Sequence, residues 1–175
     1  MEEANLQITK CTANDIPDIL IVALQSYQEH YTYLWTDKGE NYIRLNFTSQ
    51  VIAKEMVAEK SCFYLLWLRN EPVGFLKVND EKPLAFYAAT DCLELERIYL
   101  LQKASGKGIG KEAVAFVLQL AAERNRSVVW LKAMDSSPAL KFYEKMGFET
   151  IDSYLLDFPY MKDEFRDICV MERRI

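Results

Sequence analysis

Ser105-Gly106-Lys107-Gly108-Ile109-Gly110-Lys111 is the stretch whose residue types and spacing prescribe chemistry most directly. Glycines at alternate positions let the backbone turn several N–H groups toward one point and let a ligand come close to it. A helix starting inside the run adds the partial positive charge of its N-terminus. Lys103, Lys107 and Lys111 add more, so a phosphate or pyrophosphate is the natural guest. Two better-known phosphate loops do not fit. A GxxxxGK loop needs Ser or Thr after its lysine to hold magnesium, but Glu112 follows Lys111 and Ser105 stands at the first glycine. The dinucleotide pattern GxGxxG fails because the run is GxGxG. The plainer alternative is a flexible turn ahead of a glycine-rich helix start. A second signal lies just upstream in Leu93-Glu94-Leu95-Glu96-Arg97-Ile98-Tyr99-Leu100, whose apolar positions are 93 and 95, then 98 and 100. A one-residue slip in a period of two turns core side chains outward unless an extra residue is absorbed. The slip predicts a β-bulge at Glu96-Arg97, a device that re-aims side chains beside active sites; the alternative is an irregular edge strand.

Other chemistries are poorly supplied. His30 is the one histidine, with no cysteine or carboxylate cluster at ligand spacing, so no metal centre is expected and no His-based nucleophile scheme has a second candidate. His30 reads as a solvent-facing residue late in a helix. Cys11, Cys62, Cys92 and Cys169 lie far apart in apolar surroundings, as reduced core thiols of a cytoplasmic protein would. The chain has 175 residues, half of them hydrophobic and 27% charged, which excludes disorder and fits one domain spanning 1–175. Twenty-one basic against 26 acidic residues argue against nucleic acid and are compatible with a cationic small substrate. With no apolar run near 18 residues and no basic-then-apolar N-terminus, neither membrane insertion nor export is expected.

The glycine loop and the bulge need a strand, a turn and a long helix in that order. Strand 92–100 is followed by a helix over 107–124, with Ile109, Ala113, Phe116, Val117 and Leu120 on one stripe. SVVWLKA gives a short buried strand. Ser136-Ser137-Pro138 then opens a helix that runs to Met146 and stops at Gly147. FETIDSYLL and DICVMERR read as a closing pair of strands. In the first half, strand 6–11 precedes a helix from Asn14-Asp15 to about Tyr31, residues 32–47 read as irregular and aromatic, and Thr48 or Ser49 caps a helix to about Glu59. CFYLLWLR and VGFLKV follow as strands around a turn at Asn70-Glu71-Pro72. The expected class is α/β (α+β): one mixed, mostly antiparallel sheet, flanked by helices, with a bulged central strand.

LERIYL, SGKGIG opening a helix, WLKA and SPALKFYEKMGF, in that order, resemble the GCN5-related N-acetyltransferase (GNAT) family. Its phosphate loop [Q/R]xxGx[G/A] is matched at Gly108 and Gly110, with Ser105 at the Gln/Arg position. AxxFYxxxGF is matched at Ala139, Phe142, Tyr143, Gly147 and Phe148, and Ser137 stands where an Asn commonly contacts the cofactor. Within the family the closest likeness is to the PaiA-type polyamine (spermidine/spermine) acetyltransferases.

The resemblance implies an acetyl-CoA-dependent transfer to a primary amine of a small molecule, with a polyamine favoured. A protein lysine or N-terminal acceptor, and a non-catalytic acyl-CoA-binding regulator, are the alternatives. It implies a pyrophosphate on Ser105, Gly106, Lys107, Gly108, Ile109, Gly110 and Lys111, a pantetheine beside Ile98, Tyr99 and Leu100, and further cofactor contacts at Ser137 and Tyr143. At pH 7 only about one alkyl ammonium in 10³ is neutral, so a base matters. Glu96 is the candidate base, an exposed paired carboxylate being its alternative, and Glu94, two residues away on the same nominal face, is the alternate carboxylate and a candidate substrate-binding residue. Tyr143 is the candidate acid for the departing thiolate. Tyr31, Tyr33 and Trp35, with Tyr27, Glu29 and Glu40 nearby, would suit an ammonium-bearing chain; aromatics that simply cover the sheet are the alternative. Family members are often dimers, which implies a homodimer as one state open to the chain.

Overall fold

In the computed structural model, which describes residues 6–175, the apolar runs become seven strands of one sheet. They are β1 (Leu6–Lys10), β2 (Ser61–Leu68), β3 (Glu71–Asp80), β4 (Cys92–Leu100), β5 (Val128–Met134), β6 (Glu149–Leu155) and β7 (Asp167–Arg174). Their spatial order is β1-β2-β3-β4-β5-β7-β6, and each neighbouring pair is antiparallel except β4 with β5. That exception follows from the connection, because a parallel partner requires a crossover, here through a helix. The helices are α1 (Ile16–His30), α2 (Glu40–Asn46), α3 (Ser49–Met56), α4 (Ile109–Glu123) and α5 (Ala139–Lys145).

The sheet is covered on both faces, which explains the near-continuous apolar runs of β2 and β3. Phe63 and Leu65 of β2 and Phe75 of β3 meet Ile19, Val22 and Ala23 of α1 and Ile52 of α3 on one face. Tyr64, Leu66, Leu76 and Val78 meet Ile109, Ala113 and Val117 of α4 on the other. Each fully buried Leu, Ile or Phe in these layers contributes about 1.5–3 kcal/mol relative to leaving it in water.

Several expectations shift. Residues 32–47 are not irregular throughout: Glu40–Asn46 forms α2, started by the Asp37 carboxylate, which accepts the N–H groups of Gly39 and Asn41 at 2.9 Å each. Tyr42 anchors that short helix by stacking on Tyr27, with 5.1 Å between ring centroids. α4 begins at Ile109 because Gly108 adopts the left-handed conformation. Its buried stripe takes in Val114 and Ala121, while Phe116 lies partly buried against Tyr64. α3 stops at Met56, with Thr48 as its N-cap. The β2–β3 turn sits at Arg69-Asn70, both left-handed, so Glu71 and Pro72 already belong to β3. Of the cysteines, Cys92 and Cys169 are buried whereas Cys11 and Cys62 are half-exposed, and all four are free thiols. Among the described residues, no helix is long and apolar enough to cross a membrane.

Candidate active site

The register of β4 creates the site. Arg97 faces Lys77 and Leu95 faces Val78, so Glu96 is the extra residue of a β-bulge where the apolar phase slips. On its other side β4 pairs with β5 only from Cys92–Leu95 against Val128–Leu131. Beyond that point β5 continues against β7, and Glu96 to Leu100 present an open strand edge. Unpaired backbone groups at such a split can pair with an extended ligand carrying amides of its own.

The glycine loop lies at the far end of this edge. Gly106 and Gly108 have φ of +73° and +78°, and a Cβ added at either would meet nothing within 4 Å. Their role is therefore conformational, turning the chain from strand to helix while leaving the space above the backbone open. Gly110 differs: its added Cβ would lie 3.4 Å from Phe142, so it sets how closely α4 approaches α5. The first N–H groups of α4, together with Lys107 and Lys111, supply positive character; Lys103 is paired with Glu71 at 2.7 Å. Ser105 is exposed just before the loop. Glu29, placed near the acceptor by the sequence, instead accepts the Gln102 N–H at 2.6 Å and ties α1 to the turn before the loop. An open strand edge leading to an open, positively charged helix start fits a ligand with a peptide-like arm and a pyrophosphate.

Where β4 and β5 part, a cavity of about 420 Å³ opens. Of the residues expected in the site it brings together Tyr31, Trp35, Glu96, Ile98, Tyr99, Ser137 and Tyr143. Tyr33 is outside the lining, its ring edge-on to Phe165 at 5.0 Å. Glu94 is outside it too, only 4% exposed. The Ser137 hydroxyl accepts the Ala139 N–H at 3.1 Å and so caps α5 at the cavity wall. Tyr27, Tyr42, Arg97, Lys132, Tyr154 and Phe158 complete much of the lining. The last three come from β5, β6 and the β6–β7 connection, and none of them stands out in the sequence as a site residue. Only the return of β7 between β5 and β6 brings them to the split, and strand order is not written in periodicity.

The electrostatics separate the two carboxylates. Burial alone would raise the pKa of Glu96, but hydrogen bonds from Lys77 at 2.8 Å and Asn79 at 2.5 Å hold it below the usual carboxylate range. Arg97 adds to this from 3.4 Å. Glu94 goes the other way: burial pushes its pKa up, partly opposed by the Asn79 hydrogen bond at 2.8 Å. One amide thus donates to both carboxylates. Burial also pushes the Tyr143 phenol above its ordinary pKa. It is a fully protonated donor aimed at the cavity. A carboxylate, a phenol and an open strand edge around one space form a set that can bind an acyl thioester and move protons beside it.

A sequence profile of the Acetyltransferase (GNAT) family matches residues 22–148. An uncharacterised N-acetyltransferase in the pepI 3′ region of Lactobacillus delbrueckii subsp. lactis is 22% identical over 154 residues, covering 86% of this chain and 88% of its own. The fold is similar to that of the PaiA N-acetyltransferase from Thermoplasma acidophilum in complex with coenzyme A, with a TM-score of 0.78, 21% identity, and 98% and 99% of the two chains covered. It is also similar to the ribosomal-protein-S18-alanine N-acetyltransferase from Escherichia coli, with a TM-score of 0.71, 16% identity, and 98% and 94% covered. With the family model matched over residues 22–148, the chain belongs to the GNAT family of acetyltransferases.

Proposed function

We propose that the protein transfers the acetyl group of acetyl-CoA directly to a primary amine of a small molecule. The observation that carries this reading is the joining of the β4–β5 split to a half-open cavity lined by Glu96 and Tyr143. No cysteine is among the lining residues, which supports one transfer step without a covalent acetyl-enzyme. The acceptor nitrogen loses a proton to become nucleophilic, and Glu96, held ionised by its cationic neighbours, receives it directly or through water. The nitrogen bonds to the acetyl carbon, the carbon–sulfur bond breaks, and Tyr143 donates to the departing sulfur. The amide N–H groups of the bulged β4 edge are suited to the carbonyl oxygen that gains charge. Gly106 to Lys111 would hold the pyrophosphate, and Ser105 offers one hydroxyl where a longer donor is usual.

Polyamines are the finer reading. The faces of Tyr31, Tyr42, Tyr99 and Trp35 support it, since aromatic rings attract alkyl ammonium groups. So does the likeness in fold to the Thermoplasma PaiA protein. The charges weigh against it, because the one carboxylate in the lining is already bound to Lys77 and Arg97. Acetyl-CoA-dependent thiol release, screened over spermidine, spermine, simple alkylamines, amino acids and lysine peptides, tests the proposal. Tyr143→Phe is expected to lower kcat on the order of 10²-fold while acetyl-CoA still binds. Absence of turnover with every amine overturns the enzyme reading in favour of an acyl-CoA-binding regulator.

A further inference from the structure

The charged groups on the acceptor side of the sheet cancel in pairs, with one exception. Lys77 Nζ lies 3.2 Å from Glu55 and 2.8 Å from Glu96. Arg97 grips Glu55 through both terminal nitrogens at 2.8 and 2.9 Å and stands 3.4 Å from Glu96. Two cations and two anions in mutual contact leave no net charge for an acceptor to meet. Glu94 contributes none, being buried behind Asn79 and outside the lining.

Lys132 is the exception. It lines the cavity, and among the described residues it has no carboxylate within ion-pair distance. Its ammonium is instead held between two rings, with Nζ 5.6 Å from the centroid of Trp130 and 6.0 Å from that of Tyr154. It stands on β5 one residue past Leu131, the last partner of β4, so it faces the split from the wall opposite Glu96. The cavity therefore offers a carboxylate on one wall and, on the other, an ammonium whose nearest carboxylate influence is the buried Glu94 beyond ion-pair distance. Lys132 is exposed, so its ammonium is free to reach a bound group directly. Neighbouring strands run about 4.8 Å apart and here diverge, which is the scale on which a small amino acid separates its two charges.

We infer that the acceptor carries a carboxylate in addition to its primary amine, and that Lys132 is the specificity-determining residue that binds this carboxylate. The inference rests on the acetyltransferase reading above and narrows its substrate class from amines to amino acids and their analogues. A polyamine tail would meet Lys132 as a like charge, whereas a carboxylate would form a charge-assisted hydrogen bond with it.

The test compares kcat/KM for matched acceptors, butylamine against 4-aminobutyrate and 2-phenylethylamine against phenylalanine, with spermidine alongside. The wild-type protein is expected to favour the carboxylate-bearing member of each pair by roughly ten- to a hundredfold. Lys132→Met should bring that ratio down toward one, Lys132→Arg should keep it, and Lys132→Glu should invert it while raising turnover of spermidine. Comparing ratios between variants removes each amine's intrinsic reactivity. A ratio unchanged in Lys132→Met, or a wild-type preference for spermidine over both carboxylated amines, overturns the inference and leaves the acetyltransferase reading standing. No turnover with any amine, although acetyl-CoA binds, overturns both.

Discussion

Glu96 and Glu94 are two residues apart on one strand and share a single amide donor, yet their environments drive them in opposite directions. The difference lies in the cations. Lys77 and Arg97 stabilise Glu96 as a carboxylate, and Glu94 has no such contact. Glu96 is therefore ionised at all pH values above the ordinary carboxylate range, and Tyr143, with its pKa raised by burial, stays protonated through and beyond neutrality. Neither titrates between pH 6 and 9, so the acceptor itself governs the acid limb. For an alkylamine, kcat/KM is expected to rise about tenfold per pH unit toward an amine pKa of roughly 10.4. A less basic amine should reach its plateau at a correspondingly lower pH. Profiles for two amines of different pKa check this. A neutral inflection that stays at the same pH for both would sink the assignment to Glu96 and point to Glu94, whose raised pKa lies on that side of the ordinary range.

Among the elements, β4 depends on how tightly β3 receives it. A Cβ added at Gly74 would lie 2.5 Å from the Leu100 side chain and 2.8 Å from the Tyr99 carbonyl oxygen. The second of these is backbone and cannot swing away, so Gly74→Ala is expected to destabilise the protein by about 1–3 kcal/mol, measured by denaturant unfolding. Because the displaced segment is the open edge of β4, where the pantetheine is proposed to lie, affinity for acetyl-CoA should fall in the same variant. A Gly74→Ala protein with wild-type stability would mean that β3 and β4 are free to separate there. The elements differed in how plainly the sequence announced them. The bulge was legible because the apolar phase slips at Glu96-Arg97, and the start of α4 because glycine spacing marks it. α2 was not, since seven residues give barely two turns and its anchor, Tyr42 on Tyr27, is a tertiary contact. Residue type alone makes Tyr33 and Glu29 suited to an acceptor, but one packs on Phe165 and the other fastens the Gln102 turn. Residue type names a capacity, and only packing decides where it is used. Lys132 shows the converse, a lysine in the short run WLKA whose meaning depends on β4 parting from β5 beside it.

On the scale of the whole molecule, the split divides the sheet into β1–β4 and β5–β7, joined by pairing over four residues of each strand and by the helices that cross between them. A ligand lying along the open edge of β4, reaching the start of α4 and the wall of α5, touches both halves and adds pairing where the sheet has none. The unfolded chain has no such surface, so binding stabilises the native state by RT ln(1 + [L]/Kd), about 2.7 kcal/mol at a hundredfold excess over Kd. For a protein of this size each kcal/mol moves the melting temperature by roughly 2–4 °C. Saturating acetyl-CoA is therefore expected to raise Tm by about 5–10 °C in a thermal scan. CoA should act in the same way, and ATP, which carries phosphates but no pantetheine arm, should raise Tm by much less. An equal shift with ATP would mean that the glycine loop alone binds and that the β4 edge contributes nothing. No shift with any of them would mean that Ser105 and the loop do not hold a pyrophosphate.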